Sequence, residues 1–366
     1  MLKNIIKIAY RNLIKQKSYS IINIFGLSLG ITCSILIFAY IGYELSYDTY
    51  HKNADNIYRI VSEQIISGKS TESARSPAPV GPTLVEDFPE VINAVRFSPT
   101  VKRAFNYEDR HFFQEHVFYA DQSVFDVFSF ELIKGDPKTA LELPFTMVIT
   151  ESTAKKYFGE KNPMGEFINW DNKFDYQVTG VVKDPPPNSH FTFTVLASFS
   201  TFIKYDPRIG SWRGGQFPTY LLLRENSDYK KLEYKIREFN DKYLGSMLKE
   251  IGAELDTYLQ PLTSIHLRSH LVSELGVNGN IKIIYAFSAI AVVILLIACI
   301  NFMNLSTARS IRRAKEVGMR KVLGAERRNL ILQFLGESFI YTILSSLLAA
   351  GAALLIIPYF KTLSGV

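Results

Sequence analysis

Hydrophobic and polar positions along the chain follow two different patterns. Residues 18–43, 283–308 and 338–360 are runs of 26, 26 and 23 residues without a charged side chain. About 20 apolar residues are enough to cross the hydrocarbon core of a bilayer. Between the first and second runs the pattern shortens to segments of soluble α+β type. Residues 56–66 and 90–97 predict strands, separated by the proline-rich loop 76–82 and a short helix, 83–88, that Pro89 ends. Residues 116–120 predict a strand, 123–128 a helical turn, 145–150 a strand, and 151–158 a helix stopped by Gly159. Strand compositions at 167–170 and 176–182 flank Asp171-Asn172-Lys173, a hairpin turn. After the break at 184–188 (DPPPN), residues 191–202 and 219–224 resume strand character. Residues 227–251 predict the longest helix of the insertion, with Leu232, Ile236, Phe239, Tyr243 and Leu244 on one face, and 256–267 lead back towards the membrane.

The fold class that follows is a membrane protein of α-helical transmembrane segments, with a large α+β extracytoplasmic domain inserted between the first and second spans. The predicted divisions are a basic amphipathic surface helix (1–20), the first span (21–42), the inserted domain (43–280) and the second span (281–303). A cytoplasmic basic helix and turn (304–328), the third span (329–360) and a tail (361–366) complete the chain. Gly26, Gly30 and Ser34 recur every fourth residue of the first span, and Ser345, Ala349 and Ala353 do so in the third. Small residues at this spacing allow membrane helices to approach closely, although glycine is also common in such helices without a contact.

Charge sharpens the picture. The chain carries a net +6, but residues 43–280 hold 26 basic and 32 acidic side chains, so the inserted domain is −6 and the remainder +12. A nucleic-acid binder would carry its basic residues on the soluble domain, so no nucleic-acid partner is expected. The basic residues flank the apolar runs instead: Lys3, Lys7, Arg11, Lys15 and Lys17 before the first, and eight between 304 and 328. By the positive-inside rule both segments face the cytoplasm, and the insertion is periplasmic or extracellular. In a bacterium with two membranes, the expected location is then the inner membrane, as a multi-pass protein with a cytoplasmic N-terminus. Residues 21–41 exceed a signal peptide's apolar core, which favours an uncleaved anchor. Both cysteines, Cys33 and Cys299, fall inside apolar runs, so no disulfide framework is available to the insertion.

Candidate chemistry is sparse. The chain has no GxxxxGK[ST] phosphate loop, no GxSxG elbow and no HExxH, so it is read as a non-enzyme without a cofactor. His266 and His270 have i,i+4 spacing, yet no cysteine is near and Glu274 alone could add a ligand, so no metal site is assigned. Glu337, near the cytoplasmic start of the third span, reads either as a gate residue or as an interfacial acid facing Arg327 or Arg328. The phenylalanines of the insertion (Phe112, Phe113, Phe118, Phe125, Phe128, Phe130) are expected mainly in its core.

The most informative stretch is 304–328. As a helix it places Ile311, Ala314, Gly318, Met319 and Val322 on a narrow apolar stripe. Glu316 is set four residues from both Arg312 and Arg320, and Gly324 is placed to end the helix. Its basic residues alone are equally compatible with anchoring on anionic lipid, at about 1 kcal/mol each.

Lys315-Glu316-Val317-Gly318-Met319-Arg320-Lys321-Val322-Leu323-Gly324-Ala325 is similar to the signature after the second span of FtsX-like/MacB-type ABC transporter permeases. Lys7 to Leu13 (KIAYRNL) with Gly26-Leu27-Ser28-Leu29-Gly30 resembles their N-terminal helix and first span. Val148 to Ser152 (VITES), Ala154 to Gly159 (AKKYFG), Asn162-Pro163-Met164-Gly165 and Val178 to Val182 (VTGVV) resemble their extracytoplasmic core domain. The departures Val317, Met319 and Val322 are apolar exchanges. The resemblance implies a dimeric permease, pairing with a second copy or half and driven by an ABC ATPase subunit. It implies ATPase contacts at Arg312, Arg313, Glu316, Arg320 and Lys321, with Gly318 and Gly324 shaping the coupling helix. It further implies membrane lipids and, in some relatives, a periplasmic adaptor and an outer-membrane channel as partners. Export or efflux is the expected role, and non-transporting mechanotransmission or scaffolding is the alternative. The family has four spans; this chain, ending after the third run, resembles the first half of a longer member or a truncated copy.

Overall fold

The computed structural model describes residues 11, 17–205, 207–213, 216–312, 318–319, 322 and 327–364. It divides into two compact units, Ser46–Asn280, and Met1–Leu45 together with Ile281–Val366.

The second of these contains three long helices among the described residues, Lys17–Leu45, Ile281–Arg312 and Arg327–Ser364, and each holds a stretch long and apolar enough to cross a membrane. Large apolar side chains such as Phe25, Leu29, Ile297, Phe339 and Leu354 point outward from them. Such a surface is matched to hydrocarbon, where the helical backbone satisfies its own hydrogen bonds. The first helix packs along both of the others. The helices overrun the expected spans, and the second is unbroken through Arg312. Residues 304–312, expected to open a separate cytoplasmic helix, therefore continue the second helix instead.

The unit Ser46–Asn280 is built on two main sheets among its described residues. One is antiparallel, in the order Ala253–Pro261, Ile57–Ile66, Thr219–Leu223, Val91–Arg96, with Lys69–Ser73 added beside Ile57–Ile66. Helices Val80–Asp87 and Tyr229–Ile251 supply Leu84, Leu232, Ile236 and Phe239 to a core shared with Ile60, Leu221 and Leu259 of this sheet. The longer helix starts where the Asp228 carboxylate accepts hydrogen bonds from the Lys230 and Lys231 amides. It ends at Gly252, whose φ of 60° supplies the left-handed cap.

The second sheet runs Leu132–Lys134, Phe174–Val182, Thr146–Thr150, Val195–Ser198, Arg110–Ala120, Val101–Tyr107, Phe167–Trp170. Phe167–Trp170 pairs again with Phe174–Val182, which closes the sheet on itself. Closure leaves no unpaired edge among the ring strands. Its interior is filled by Phe105, Val117, Met147, Ile149, Ile168 and Val195. The chain thus leaves the antiparallel sheet after Arg96, builds the closed sheet, and returns to the first sheet at Thr219.

Several expectations are revised. Residues 191–202 are strand only over Val195–Ser198, then turn into the helix Phe199–Tyr205. Residues 256–267 do not simply lead back to the membrane, because Ala253–Pro261 is an edge strand paired with residues 58–66. Phe118, Phe128 and Phe130 are core, whereas Phe113 is exposed.

Candidate functional site

Two sets of residues bear on function, one in each unit. In the helical unit, Gly26 and Gly30 face the second helix. A Cβ at Gly30 would lie 2.5 Å from the Ala298 Cβ, and one at Gly26 would lie 3.5 Å from Asn301 Nδ2. Any larger side chain at residue 30 must push the two helices apart. Ser34 Oγ donates to Gly30 O at 2.9 Å and reaches Ala291 O at 3.2 Å. On its other side the first helix meets the third: Ser20 Oγ and Tyr341 Oη are 2.9 Å apart, and Thr32 Oγ1 lies 3.4 Å from Ala349 O. Ser345, Ala349 and Ala353 are all buried. Packing through small residues and cross-helix hydroxyl contacts is how helices associate where no hydrophobic effect separates them from the solvent. Glu337 is buried as well.

Of the residues expected to couple to an ATPase, the structure describes Arg312 and Gly318. Arg312 ends the second helix. Gly318 is helical with open space around its Cα, and Met319 and Val322, assigned to the apolar stripe, are exposed. Arg313, Glu316, Arg320, Lys321 and Gly324 lie outside the described residues.

In the unit Ser46–Asn280 a buried polar chain, which the sequence pattern gave no reason to expect, joins its first residues to its last. Asp48 sits at φ 60° in the turn three residues beyond the first helix. Its amide donates to Asn188 O at 2.9 Å, and its carboxylate accepts from the His190 amide at 3.1 Å and lies 2.9 Å from His190 Nδ1. The other ring nitrogen of His190, Nε2, is 2.8 Å from Tyr220 Oη. Tyr220 is the cross-strand neighbour of Arg59, and Gln260 stands opposite Arg59 on its other side. Arg59 is fully buried. Its guanidinium donates to Glu274 through Nη1 (2.5 Å) and Nη2 (3.1 Å), and to Gln260 Oε1 (2.6 Å) and Ser269 Oγ (2.7 Å). Glu274 also accepts from Ser269 Oγ and from the Leu271 amide. It lies a few residues before the second helix begins at Ile281.

The electrostatics follow from this arrangement. Burial alone would raise the Glu274 pKa, but the hydrogen bonds and charge of Arg59 outweigh it and hold the carboxyl below its usual range. Burial drives the Tyr220 phenol upward, with Arg59 opposing only part of that. Gly276 lets the backbone pass close to His190: a Cβ there would lie 2.2 Å from His190 O. Beside the chain, His51 Nδ1 accepts a hydrogen bond from the Ser129 amide at 3.0 Å, and its ring is enclosed by Phe128 and Phe130. Burial pushes its pKa down to about 4, with Asp48 opposing in part. His266, weighed as a metal ligand, stacks on Tyr47 with ring centroids 3.3 Å apart. No group of three metal-capable side chains occurs among the described residues.

The order of parts is a first helix, a two-sheet domain locked at its root, then two further apolar helices. Comparison with known proteins identifies that order. Residues 20–239 match the MacB-like periplasmic core domain, and residues 288–366 match the FtsX-like permease C-terminal domain. The chain belongs to the MacB/FtsX-type ABC transporter permease family. This permease is 25% identical over 205 residues to the macrolide export ATP-binding/permease protein MacB of Bdellovibrio bacteriovorus, covering 55% of this chain and 29% of that protein. It is 25% identical over 215 residues to the uncharacterized ABC transporter permease YknZ of Bacillus subtilis, covering 56% of this chain and 47% of that one. It therefore spans less than half the length of either relative. A domain assigned to a permease of Porphyromonas gingivalis superposes with a TM-score of 0.51 at 22% identity, covering 58% of this chain and 91% of that domain, which shows a shared fold.

Proposed function

We propose that this chain is the permease subunit of an ABC system, transmitting motion driven by an ATPase on a separate subunit across the membrane to the domain Ser46–Asn280, in the service of export or efflux. The observation that carries this reading is the buried chain from Asp48 to Glu274. A domain that receives force from two membrane helices needs its two chain ends held as one body, and an ion pair with multiple hydrogen bonds does this more rigidly than apolar contact. Asp48 and Glu274 are those ends. The family supports a dimer and an ATPase partner, and the charge partition supports a cytoplasmic N-terminus with the domain outside. Arg312, Arg313, Glu316, Arg320 and Lys321 are the proposed ATPase contacts, with Gly318 and Gly324 shaping the helix. A periplasmic adaptor and outer-membrane channel would extend the path for cargo.

Co-purification of the full chain with its ATPase tests the assignment. Reversing Arg320 and Lys321 to glutamate should abolish recovery of the ATPase, while reversing Lys3 and Lys7 should leave it. Equal loss from both pairs would mean that the charges act by lipid anchoring. If the ATPase then responds to an envelope partner while no compound moves in vesicles, the export role falls and a non-transporting scaffold takes its place.

A further inference from the structure

One end of the closed sheet carries an aromatic pocket that force transmission does not require. Its volume is about 180 Å³, and a cavity of about 150 Å³ already holds benzene. Trp170 and Tyr176 form a buried floor. Tyr119 stacks on Trp170 with centroids 5.4 Å apart, and Phe202 continues the stack on Tyr119 at 4.8 Å. Tyr205, 70% exposed, stands edge-on to Phe174 at the mouth. Stacked rings that line a pocket offer a flat guest aromatic surface to pack on.

Aromatic faces would also suit a cation, so the rim charges decide. Arg103 and Lys173 line the pocket together with one carboxylate, Asp171. That carboxylate is already engaged: Oδ2 is 3.4 Å from Arg103 Nη1, and Oδ1 accepts from the Ala104 amide at 3.0 Å. Lys173 has no ion pair among the described residues, and Lys204 lies 5.4 Å from the centre of the lining Phe145 ring. Among the described residues the rim is net positive, which repels an ammonium and attracts an acid. It is also fixed in place. Asp171 and Asn172 have φ of 52° and 55° in the three-residue turn between Trp170 and its cross-strand partner Phe174, and the Asp171 amide donates to Ala104 O at 2.8 Å. A preformed rim lowers the ordering cost of binding.

We propose that this pocket binds a small planar aromatic anion, one or two rings bearing a carboxylate or sulfonate, with the rings on the Trp170–Tyr119–Phe202 stack and the anion at Lys173. The binding is independent of the transport reading. The test is fluorine NMR on the full chain in lipid nanodiscs, titrated with fluorinated indole-3-acetate, fluorinated indole and fluorinated tryptamine, each referenced to empty nanodiscs. The acid should broaden saturably and bind best, and the amine least. Lys173→Ala should cost the acid about 3- to 5-fold, the size of effect an exposed ion pair supplies, and leave the neutral indole unchanged. Tyr205→Ala, at an exposed position that does not threaten folding, should weaken acid and neutral probe alike. Equal binding of all three probes, broadening no greater than in empty nanodiscs, or indifference of the acid to Lys173→Ala would each overturn the proposal.

Discussion

Replacing Arg59 by methionine removes the centre of the buried chain while keeping most of its volume. The guanidinium makes four hydrogen bonds under 3.2 Å, two of them to Glu274, and no solvent reaches it to replace them. Removing one partner of a buried pair leaves the other charge uncompensated and costs about 3–5 kcal/mol. The substitution should therefore destabilise Ser46–Asn280 by that amount, a large share of a domain's total stability. The penalty should also depend on pH. With Arg59 present, the Glu274 pKa is held low, so the pair contributes above the carboxyl's unfolded pKa, and the contribution is lost as pH falls through the folded value. Without Arg59, burial outweighs the remaining hydrogen bonds from Ser269 and the Leu271 amide and raises that pKa, so protonation relieves the variant and the gap to the wild type narrows as pH falls from neutral towards about 4. Urea unfolding of the unit Ser46–Asn280, followed by Trp170 and Trp212 fluorescence at neutral pH and at pH 4, measures both effects. The unit is compact, and a corresponding domain of a relative has been crystallised separately. A loss under about 1 kcal/mol that does not change with pH would refute the reasoning, because Arg59 would then be an ordinary buried side chain.

Other consequences are equally specific. His51 is held neutral with a pKa lowered to about 4, so between the unfolded value near 6.5 and 4 the unfolded state binds the extra proton. Stability should fall by about 3 kcal/mol as pH drops through that window, and His51→Phe should flatten the slope in the same urea titration. Gly276→Ala places a methyl group 2.2 Å from the His190 carbonyl and should cost about 1–3 kcal/mol, measured as a lowered urea midpoint. Gly30→Leu should separate the first and second helices. In a chain with Cys33 and Cys299 replaced by serine, a disulfide between cysteines introduced at Ser34 and Ala291 should form readily and be lost when Gly30→Leu is added.

The spans were legible because a charge-free run of over 20 residues has few other uses, and the charges around them were legible for the same reason. The inward strands of the domain were readable where β-branched residues cluster, as in Thr146–Thr150, which is wholly buried. Lys69–Ser73 was invisible because none of its residues is buried, so no apolar alternation marks it. Val101–Tyr107 was hidden by its two basic residues, Lys102 and Arg103, which the closed sheet keeps at its surface. Phe199–Tyr205 has strand composition but packs as a helix, where Phe199 and Phe202 face Phe217. Local propensity yielded to tertiary packing there. The buried chain could not be read at all. Arg59 stands in an ordinary strand pattern, and its partners come from three segments that only the fold assembles. The small residues Gly26, Gly30 and Ser34 were visible by their spacing, but the sequence did not say that the second helix, rather than the third, would face them.

Motion is proposed to pass from an ATPase subunit to the domain Ser46–Asn280. Spin labels at the exposed residue Tyr234 of two copies, in full chains reconstituted with the ATPase, test it most directly. Adding ATP should shift the label-to-label distance distribution, and the shift should vanish when Arg320 and Lys321 are reversed to glutamate. An unchanged distribution in the wild-type complex while ATP is being hydrolysed would contradict the account.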